Sequence, residues 1–214
     1  MQPETDRRSF LSFAIFGLGA IFSTIIGVPI AAFVLDPRNR KGPVSNFKLV
    51  EGIKLDELLL NEPPRQGVIR DVRVDGWTLY PNDVLGRVWV VPVGQKPDNF
   101  TSKEAVVAFN KDEAKKKAYL AVFTTICPHL GCFVNFNAEG KQFACPCHSA
   151  TFDTETGARA ADDNPAKRGM DTLDWEIDAT DDPDFNRILV KYKKFKTLED
   201  KKLPLGGEEK EPNA

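Results

Sequence analysis

The sequence predicts an all-β head, an antiparallel β-sandwich, tethered to one N-terminal transmembrane helix. Three observations support this fold class. Residues 10–35 carry no charge, and from residue 47 onward short apolar runs alternate with turn residues. In addition, every cysteine and histidine of the 214-residue chain lies between Cys127 and His148. This crowding predicts that one small part of the head carries the chemistry.

The composition excludes one class of partner. The chain has 29 basic and 31 acidic residues, which gives a formal net charge of −2. Its length leaves room for one or two compact domains with a core. Since no basic face is evident, we do not expect the protein to bind nucleic acid.

The N-terminus combines an export motif with an anchor. Residues 1–9 are predicted to be cytoplasmic, and within them Asp6-Arg7-Arg8-Ser9, followed by Phe10 and Leu11, is similar to a twin-arginine signal. The alternative is that Arg7 and Arg8 are ordinary anchor charges. Residues 10–35 would span roughly 30–40 Å as a helix, which is enough to cross a bilayer without cleavage. Pro29 predicts a kink near its outer end.

Two polar segments bound the head. Residues 36–46 contain two prolines and a glycine, and they predict a flexible hinge linker between anchor and head. The head is predicted over residues 47–195. Residues 196–214 are charged and contain glycine and proline, so we expect a loose C-terminal tail.

The head is predicted to consist mostly of short strands. Candidate strands cover residues 47–50, 68–74, 84–93, 105–110, 119–124, 133–137, 142–144, 175–177 and 188–193. Helix is expected to be scarce, with a turn or two over 53–60 and another over 112–117. The segment 96–117 is longer than two strands and a turn require, so it is either an insertion that contacts a partner or a solvated charged loop. Trp77, Trp89 and Trp175 are expected in the core.

Six metal- or sulfur-competent side chains fall in two short boxes. The first box, residues 127–132, reads Cys-Pro-His-Leu-Gly-Cys, and the second, residues 145–149, reads Cys-Pro-Cys-His-Ser. Between them, residues 133–144 predict a hairpin with its turn at 138–141, whose ends would lie side by side. Both boxes then meet at one tip. Cysteine and histidine at short spacings also suit a structural zinc site, which stays open as an alternative.

The two boxes resemble those of the Rieske proteins. The resemblance implies a Rieske head with a small cluster-binding subdomain, about residues 124–168, that holds one 2Fe–2S cluster. In that family two cysteines bind one iron and two histidines bind the other. The implied metal ligands are Cys127 and Cys145 on the inner iron, with His129 and His148 on the outer one. Cys132 and Cys147 are implied to form a disulfide, which fits an oxidising compartment.

This sequence departs from the high-potential members of the family at two positions. Their second box continues as His-Gly-Ser-x-Tyr, and its two hydroxyls donate hydrogen bonds to sulfur. Here Ala150 and Phe152 stand at those places, although Ser149 or Thr151 could supply one such bond. Because these bonds stabilise the reduced cluster, their loss predicts a low-to-middle Rieske potential, suited to menaquinol rather than ubiquinol.

The resemblance also implies a function. The protein would be the iron–sulfur subunit of a bacterial cytochrome bc-type quinol:cytochrome c oxidoreductase, in which it oxidises membrane quinol and passes the electron to a cytochrome c-type haem. His148 would accept the proton, with His129 as the lesser candidate. Pro165 lies in the proline-bearing run 164–169. Leu130 and Pro165 would help to dock the quinol; the alternative for Leu130 is loop packing, and the alternative for Pro165 is a simple turn.

The implied partners follow from that role. They are a cytochrome b subunit, a c-type cytochrome, membrane quinol and, through the N-terminal helix, the lipid bilayer, within a dimeric complex of the respiratory chain. The head would lie on the periplasmic or outer side of the bacterial inner membrane. The alternative function is that of the Rieske small subunit of a periplasmic molybdenum oxidoreductase of the arsenite oxidase type. A third class is a zinc-stabilised adhesion or assembly domain.

Overall fold

The computed structural model of the chain describes residues 7–39, 47–75, 78–97, 100–180 and 185–205. The chain divides into two compact units, Met1–Val44 and Ser45–Ala214. The predicted core residue Trp77 and the linker residues 40–46 lie outside the described residues.

The first unit contains a single long helix within its described part, α1 (Arg7–Asn39). Residues 7–34 of this helix are long and apolar enough to cross a membrane, which confirms the predicted apolar helix, and those side chains are not buried within the protein. The helix continues through Pro29. It also extends into residues 36–39, which the sequence had assigned to the linker, so the backbone stays helical beyond the last apolar turn.

The second unit is mostly β, as predicted. Its strands are β1 (Lys48–Glu51), β2 (Arg65–Asp75), β3 (Thr78–Pro92), β4 (Leu120–Thr124), β5 (Asn135–Asn137), β6 (Gln142–Cys145), β7 (Ala150–Asp153), β8 (Asp174–Ile177) and β9 (Ile188–Lys191). Among the described residues they form an antiparallel six-stranded sheet, in the order β4-β3-β2-β1-β9-β8, and a three-stranded sheet, β5-β6-β7. A short 3₁₀ turn at Leu55–Glu57 matches the helical turn expected over 53–60.

The larger sheet almost closes on itself. The segment just before β8 runs antiparallel to β4, the strand at the opposite edge, through a bridge between Phe123 and Thr172. The Leu173 amide donates to the Val122 carbonyl at 2.8 Å, which continues this pairing. The enclosed core includes Ile69, Val88, Val90, Trp175 and Val190, each almost fully buried. A closed sheet leaves few free backbone groups at its edges.

The expected strand at residues 105–110 is wrong, because the chain there forms a helix, α2 (Lys103–Asn110). The Ser102 hydroxyl caps it by accepting a hydrogen bond from the Ala105 amide. Val106 and Phe109, three residues apart, are its buried residues, which is the spacing of one helix face. A second short helix, α3 (Glu113–Tyr119), confirms the helical turn predicted over 112–117.

Residues 196–205 are not a loose tail. The Lys196 amide donates to the Leu203 carbonyl at 2.8 Å, and the Leu205 amide donates to the Lys194 carbonyl at 2.7 Å. Charged side chains favour solvent, but they do not prevent the backbone from pairing with itself. The prediction of disorder therefore fails for these residues, and residues 206–214 lie outside the described part.

Candidate functional site

A hairpin brings the two boxes together. Strands β5 and β6 pair antiparallel, with Asn135 opposite Ala144, and residues 138–141 form the turn between them. The first box precedes β5 and the second box follows β6, so both lie at the open end of the hairpin. The second box then leads directly into β7, which pairs with β6 through Cys145 and Ala150.

The first box is a tight loop closed by its own backbone. The Cys127 amide donates to the Cys132 carbonyl at 2.7 Å, and the Gly131 amide donates to the Cys127 carbonyl at 2.9 Å. Gly131 has φ +82°, a left-handed conformation that glycine adopts without strain. The loop therefore presents His129 and Leu130 at its tip.

A disulfide joins the two boxes. Cys132 and Cys147 are bonded, with an S–S distance of 2.14 Å, and this is the pair that the resemblance implied. The sulfur of Cys145 lies within 4.8 Å of both disulfide sulfurs. Since disulfide sulfurs are not thiolates, this group of three cysteines does not itself form a metal site. The candidate ligands that remain are Cys127, Cys145, His129 and His148.

The two cysteines outside the disulfide lie at the buried side of the site. Cys127 is 1% exposed and Cys145 is 2% exposed. Burial raises the pKa of the Cys127 thiol to about 11, although the backbone amides of His129 and Leu130 donate hydrogen bonds to its sulfur and oppose the rise. Burial therefore favours the protonated thiol, and a metal ion bound there would have to displace that proton.

The two histidines lie at the outer side of the site. Their ring centres are 4.8 Å apart, and the ring planes make an angle of 82°. His148 is exposed and His129 is half-buried. Two imidazoles bound to one tetrahedral metal, with metal–nitrogen bonds of about 2 Å, would place their ring centres roughly 5 Å apart. The separation of the histidine rings is thus compatible with two ligands of one metal ion, and the two buried cysteines lie at the other side of the site.

Comparison with protein families decides between a zinc site and an iron–sulfur site. Residues 84–174 match the Rieske 2Fe–2S domain family. The chain contains a Rieske domain. Its cofactor is therefore one 2Fe–2S cluster, and the two cysteines and two histidines outside the disulfide are candidate ligands of the mixed kind that Rieske clusters use.

Three relatives of this Rieske domain are named as iron–sulfur subunits. The menaquinol:cytochrome c reductase iron–sulfur subunit of Bacillus subtilis is 26% identical over 71% of this chain and 75% of its own length. That of Geobacillus thermodenitrificans is 25% identical over 81% and 87%, respectively. The cytochrome b6-f complex iron–sulfur subunit of Chlorobaculum thiosulfatiphilum is 24% identical, over 70% of this chain and 60% of its own length.

A solved structure was also compared with the chain. The cyanobacterial plasma membrane Rieske protein PetC3 from Synechocystis PCC 6803 is 22% identical to it. The alignment covers 58% of this chain and 86% of the cyanobacterial one, with a TM-score of 0.31.

The hydroxyl-free positions of the Rieske domain lie against the cysteines. Ala150 and Phe152 alternate with Thr151 along β7, and both are fully buried in the same apolar cluster as Cys127 and Cys145. Because side chains alternate across a strand, Thr151 points to the opposite face. Ser149, with φ +58°, is exposed.

The proline-bearing run 164–169 packs against this cluster from a third direction. Ala166 is buried among the same residues as Cys127 and Cys145, and Pro165 is half-buried. The Asn164 side chain donates to the Thr151 carbonyl and also accepts a hydrogen bond from the Ala166 amide, so the run is fixed to β7. Leu130, by contrast, is half exposed at the tip.

Sequence reasoning missed the part played by Arg168. The residue lies within the run singled out for Pro165, yet a charged residue in a loop gives no signal of burial. In the structure it is nearly buried and forms an ion pair with Asp171, whose side chain is also buried. The spacing of three residues was the available signal, but it is weak outside a helix.

Proposed function

We propose that Cys127 and Cys145 bind one iron of the cluster and that His129 and His148 bind the other. This assignment is supported by the burial of both cysteines, by the 4.8 Å separation of the imidazole rings and by the use of Cys132 and Cys147 in the disulfide. When bound, a cluster of this kind supplies a one-electron acceptor at a Rieske potential.

The Rieske domain serves, in this proposal, to oxidise a membrane quinol within a cytochrome bc-type complex. The observation that carries it is the match, over 71–81% of the chain, to two relatives named as menaquinol:cytochrome c reductase iron–sulfur subunits. The partners would be a cytochrome b subunit, which helps to form the quinol pocket, and a c-type cytochrome, which takes the electron onward. The complex would be dimeric and would belong to the respiratory chain.

His148 is the proposed acceptor of the quinol proton. Its side chain is exposed, whereas His129 is half-buried. A neutral imidazole that holds iron through one nitrogen carries a proton on the other nitrogen. Once that proton has been lost, the second nitrogen would accept a hydrogen bond from a quinol hydroxyl and then take its proton. Leu130, half exposed at the same tip, would provide an apolar contact to the quinol pocket, and Pro165 would support it from behind.

Helix α1 would anchor the protein by a single span. Its length and composition meet the requirement of the bilayer, and the charged pair Arg7 and Arg8 is the proposed twin-arginine signal. Export through that route would place a folded head on the periplasmic or outer side. The part of the predicted linker beyond α1, residues 40–46, would let the head move between the quinol site and the c-type cytochrome.

The proposal is tested by purifying the full-length chain from membranes through an affinity tag. Co-purification of b-type haem, with quinol-dependent reduction of cytochrome c, is the expected result. Replacing His148 with Ala should abolish that activity, while replacement of the exposed Leu59, which lies outside the boxes, should leave it unchanged. Co-purification of a molybdopterin subunit would instead indicate an arsenite oxidase-type complex and would overturn the proposal.

A further inference from the structure

Residues 196–205, named the strap here, fold against the Rieske domain. The strap doubles back on itself, because the Lys196 amide pairs with Leu203 and the Leu205 amide pairs with Lys194. Its apolar side chains are not what holds it in place: Leu198, for example, is 47% exposed. Hydrogen bonds and ion pairs therefore attach the strap to the rest of the domain.

The strap is bonded to the first box at Pro128. The Leu198 amide donates to the Pro128 carbonyl at 3.0 Å. The methyl group of Thr197 lies near Gly131, since a Cβ added to that glycine would be 3.8 Å from it. Because Pro128 directly precedes His129, the strap holds the backbone beside that residue.

Arg168 ties the strap to the body of the domain. Its guanidinium donates to the Glu199 carbonyl at 2.7 Å and to the Lys196 carbonyl at 2.8 Å. The same group donates two bonds to the Asp171 carboxylate, at 2.9 and 2.8 Å, and this bidentate pairing fixes its plane. The backbone carbonyl of Asp171 in turn accepts from the Thr124 amide, at the end of β4.

A lysine forms a further attachment. The Lys202 ammonium donates to the Thr172 carbonyl at 2.5 Å and to the Thr172 hydroxyl at 2.9 Å. It also lies over the Phe195 ring, 4.9 Å from the ring centre. The strap is thus bonded to Arg168 through Lys196 and Glu199, to Thr172 through Lys202, and to the first box through Leu198.

We propose that the strap positions the first box, with Arg168 as its positioning residue. The inference rests on the proposed role of His129 as a ligand. A loop bonded to itself alone can open locally, whereas a loop that is also bonded to the strap at Pro128 opens less often. The strap would therefore keep the His129 ring in one orientation and act on the potential and the retention of the cluster through the backbone, without contacting the metal.

The test uses two variants of the full-length, cluster-loaded protein at one exposed position. Leu198→Pro removes the amide that bonds Pro128, and a proline cannot adopt the φ of +63° found there. Leu198→Gly is the matched control, because glycine keeps the amide and adopts that φ readily. Neither change removes a core side chain, since Leu198 is half exposed.

Hydrogen–deuterium exchange of residues 127–132 is the primary measurement. One hydrogen bond contributes about 0.5–1.5 kcal/mol, so Leu198→Pro should speed exchange there roughly two- to tenfold. Strands β1 to β3 should exchange as in the wild type. The midpoint potential should shift and the EPR lines of the reduced protein should broaden in Leu198→Pro, whereas Leu198→Gly should match the wild type in all three measurements.

A further variant, Arg168→Lys, tests the positioning residue itself. Lysine keeps the charge beside Asp171 but loses the planar fork, so exchange should rise in both the first box and the strap. Unchanged exchange and potential in Leu198→Pro and Arg168→Lys, or equal changes in Leu198→Gly, would overturn the strap proposal alone. A wild-type protein without a mixed-ligand cluster signal would overturn the ligand assignment instead, while the exchange data would still report the strap contacts.

Discussion

The indole Nε1–H of Trp89 donates a hydrogen bond to the backbone carbonyl of Val134 at 3.0 Å. Trp89 belongs to β3 of the larger sheet, and Val134 lies between the first box and β5. The Trp89 ring also packs against Phe143, with ring centres 5.4 Å apart, in the apolar cluster that contains Cys127. This contact joins the six-stranded sheet to the small subdomain that carries the boxes.

Replacing Trp89 with Phe should weaken that joint. The variant loses a buried hydrogen bond and part of the ring, which together should lower the free energy of unfolding by about 2–3 kcal/mol. Thermal unfolding of the cluster-loaded protein checks this. Circular dichroism reports the loss of the fold, and visible absorbance reports the release of the cluster. Trp175→Phe, in the other core cluster, is the control. Trp175→Phe should destabilise the sheet, but the cluster should not be released before the sheet unfolds. Release of the cluster before unfolding in this control as well would contradict the prediction.

The disulfide should hold the two boxes together. It closes a loop with a sequence separation of 15, and cross-links of that size contribute about 3 kcal/mol in the chain-entropy model. Replacing both Cys132 and Cys147 with Ala avoids leaving a free thiol near Cys145. We expect this double variant to unfold at lower denaturant concentration and to lose visible colour faster. If the variant and the wild type lose their visible absorbance at the same rate, the disulfide is not needed to retain the cluster.

Because Phe152 has no hydroxyl, we expect it to keep the midpoint potential of the cluster low. The ring is fully buried in the apolar cluster that contains Cys127 and Cys145, and it stands at the place of the tyrosine whose hydroxyl donates to sulfur in high-potential Rieske proteins. A hydrogen bond to sulfur stabilises the reduced state, and a bond of about 0.5–1.5 kcal/mol corresponds to a rise of roughly 20–60 mV in the midpoint potential. Redox titration checks this. Phe136→Tyr, on the rim of the same apolar cluster, is the control and should leave the potential unchanged; a fall in the potential of Phe152→Tyr would refute the argument.

Movement of the head should depend on residues 40–46, the part of the predicted linker that follows α1. Introducing a run of prolines there should stiffen the segment, because proline fixes φ and favours extended chain. We expect quinol-dependent cytochrome c reduction to stop while the visible and EPR spectra of the cluster remain intact. An equal number of serines in the same positions is the control. Full turnover with the proline run would argue against a moving head.

Much of the site could be predicted because its determinants are local. The hairpin between the boxes follows from two short apolar runs around a turn, and pairing of β5 with β6 then brings all six side chains to one tip. The spacing of Cys127, His129, Cys145 and His148 carries the ligand pattern in a single stretch of chain. Local pairing of this kind needs no knowledge of distant contacts.

The parts that could not be predicted depend on distant partners. Residues 105–110 read equally well as a buried strand or a helix face, and only the packing of Val106 and Phe109 together with the Ser102 cap selects the helix. The strap is polar, and its order comes from Arg168, about thirty residues earlier in the chain. The bonds of Arg168 leave no periodic pattern in the sequence, and the spacing of Val106 and Phe109 alone does not exclude a strand.

The most direct test of the account is an EPR spectrum of the purified, reduced full-length protein, recorded with nitrogen-sensitive hyperfine measurements. The account predicts a signal with a lower average g value than that of an all-cysteine 2Fe–2S cluster, with couplings from two imidazole nitrogens that disappear when His129 or His148 is replaced by Ser. A protein that contains zinc and no iron, or an unchanged signal in either histidine variant, would contradict it.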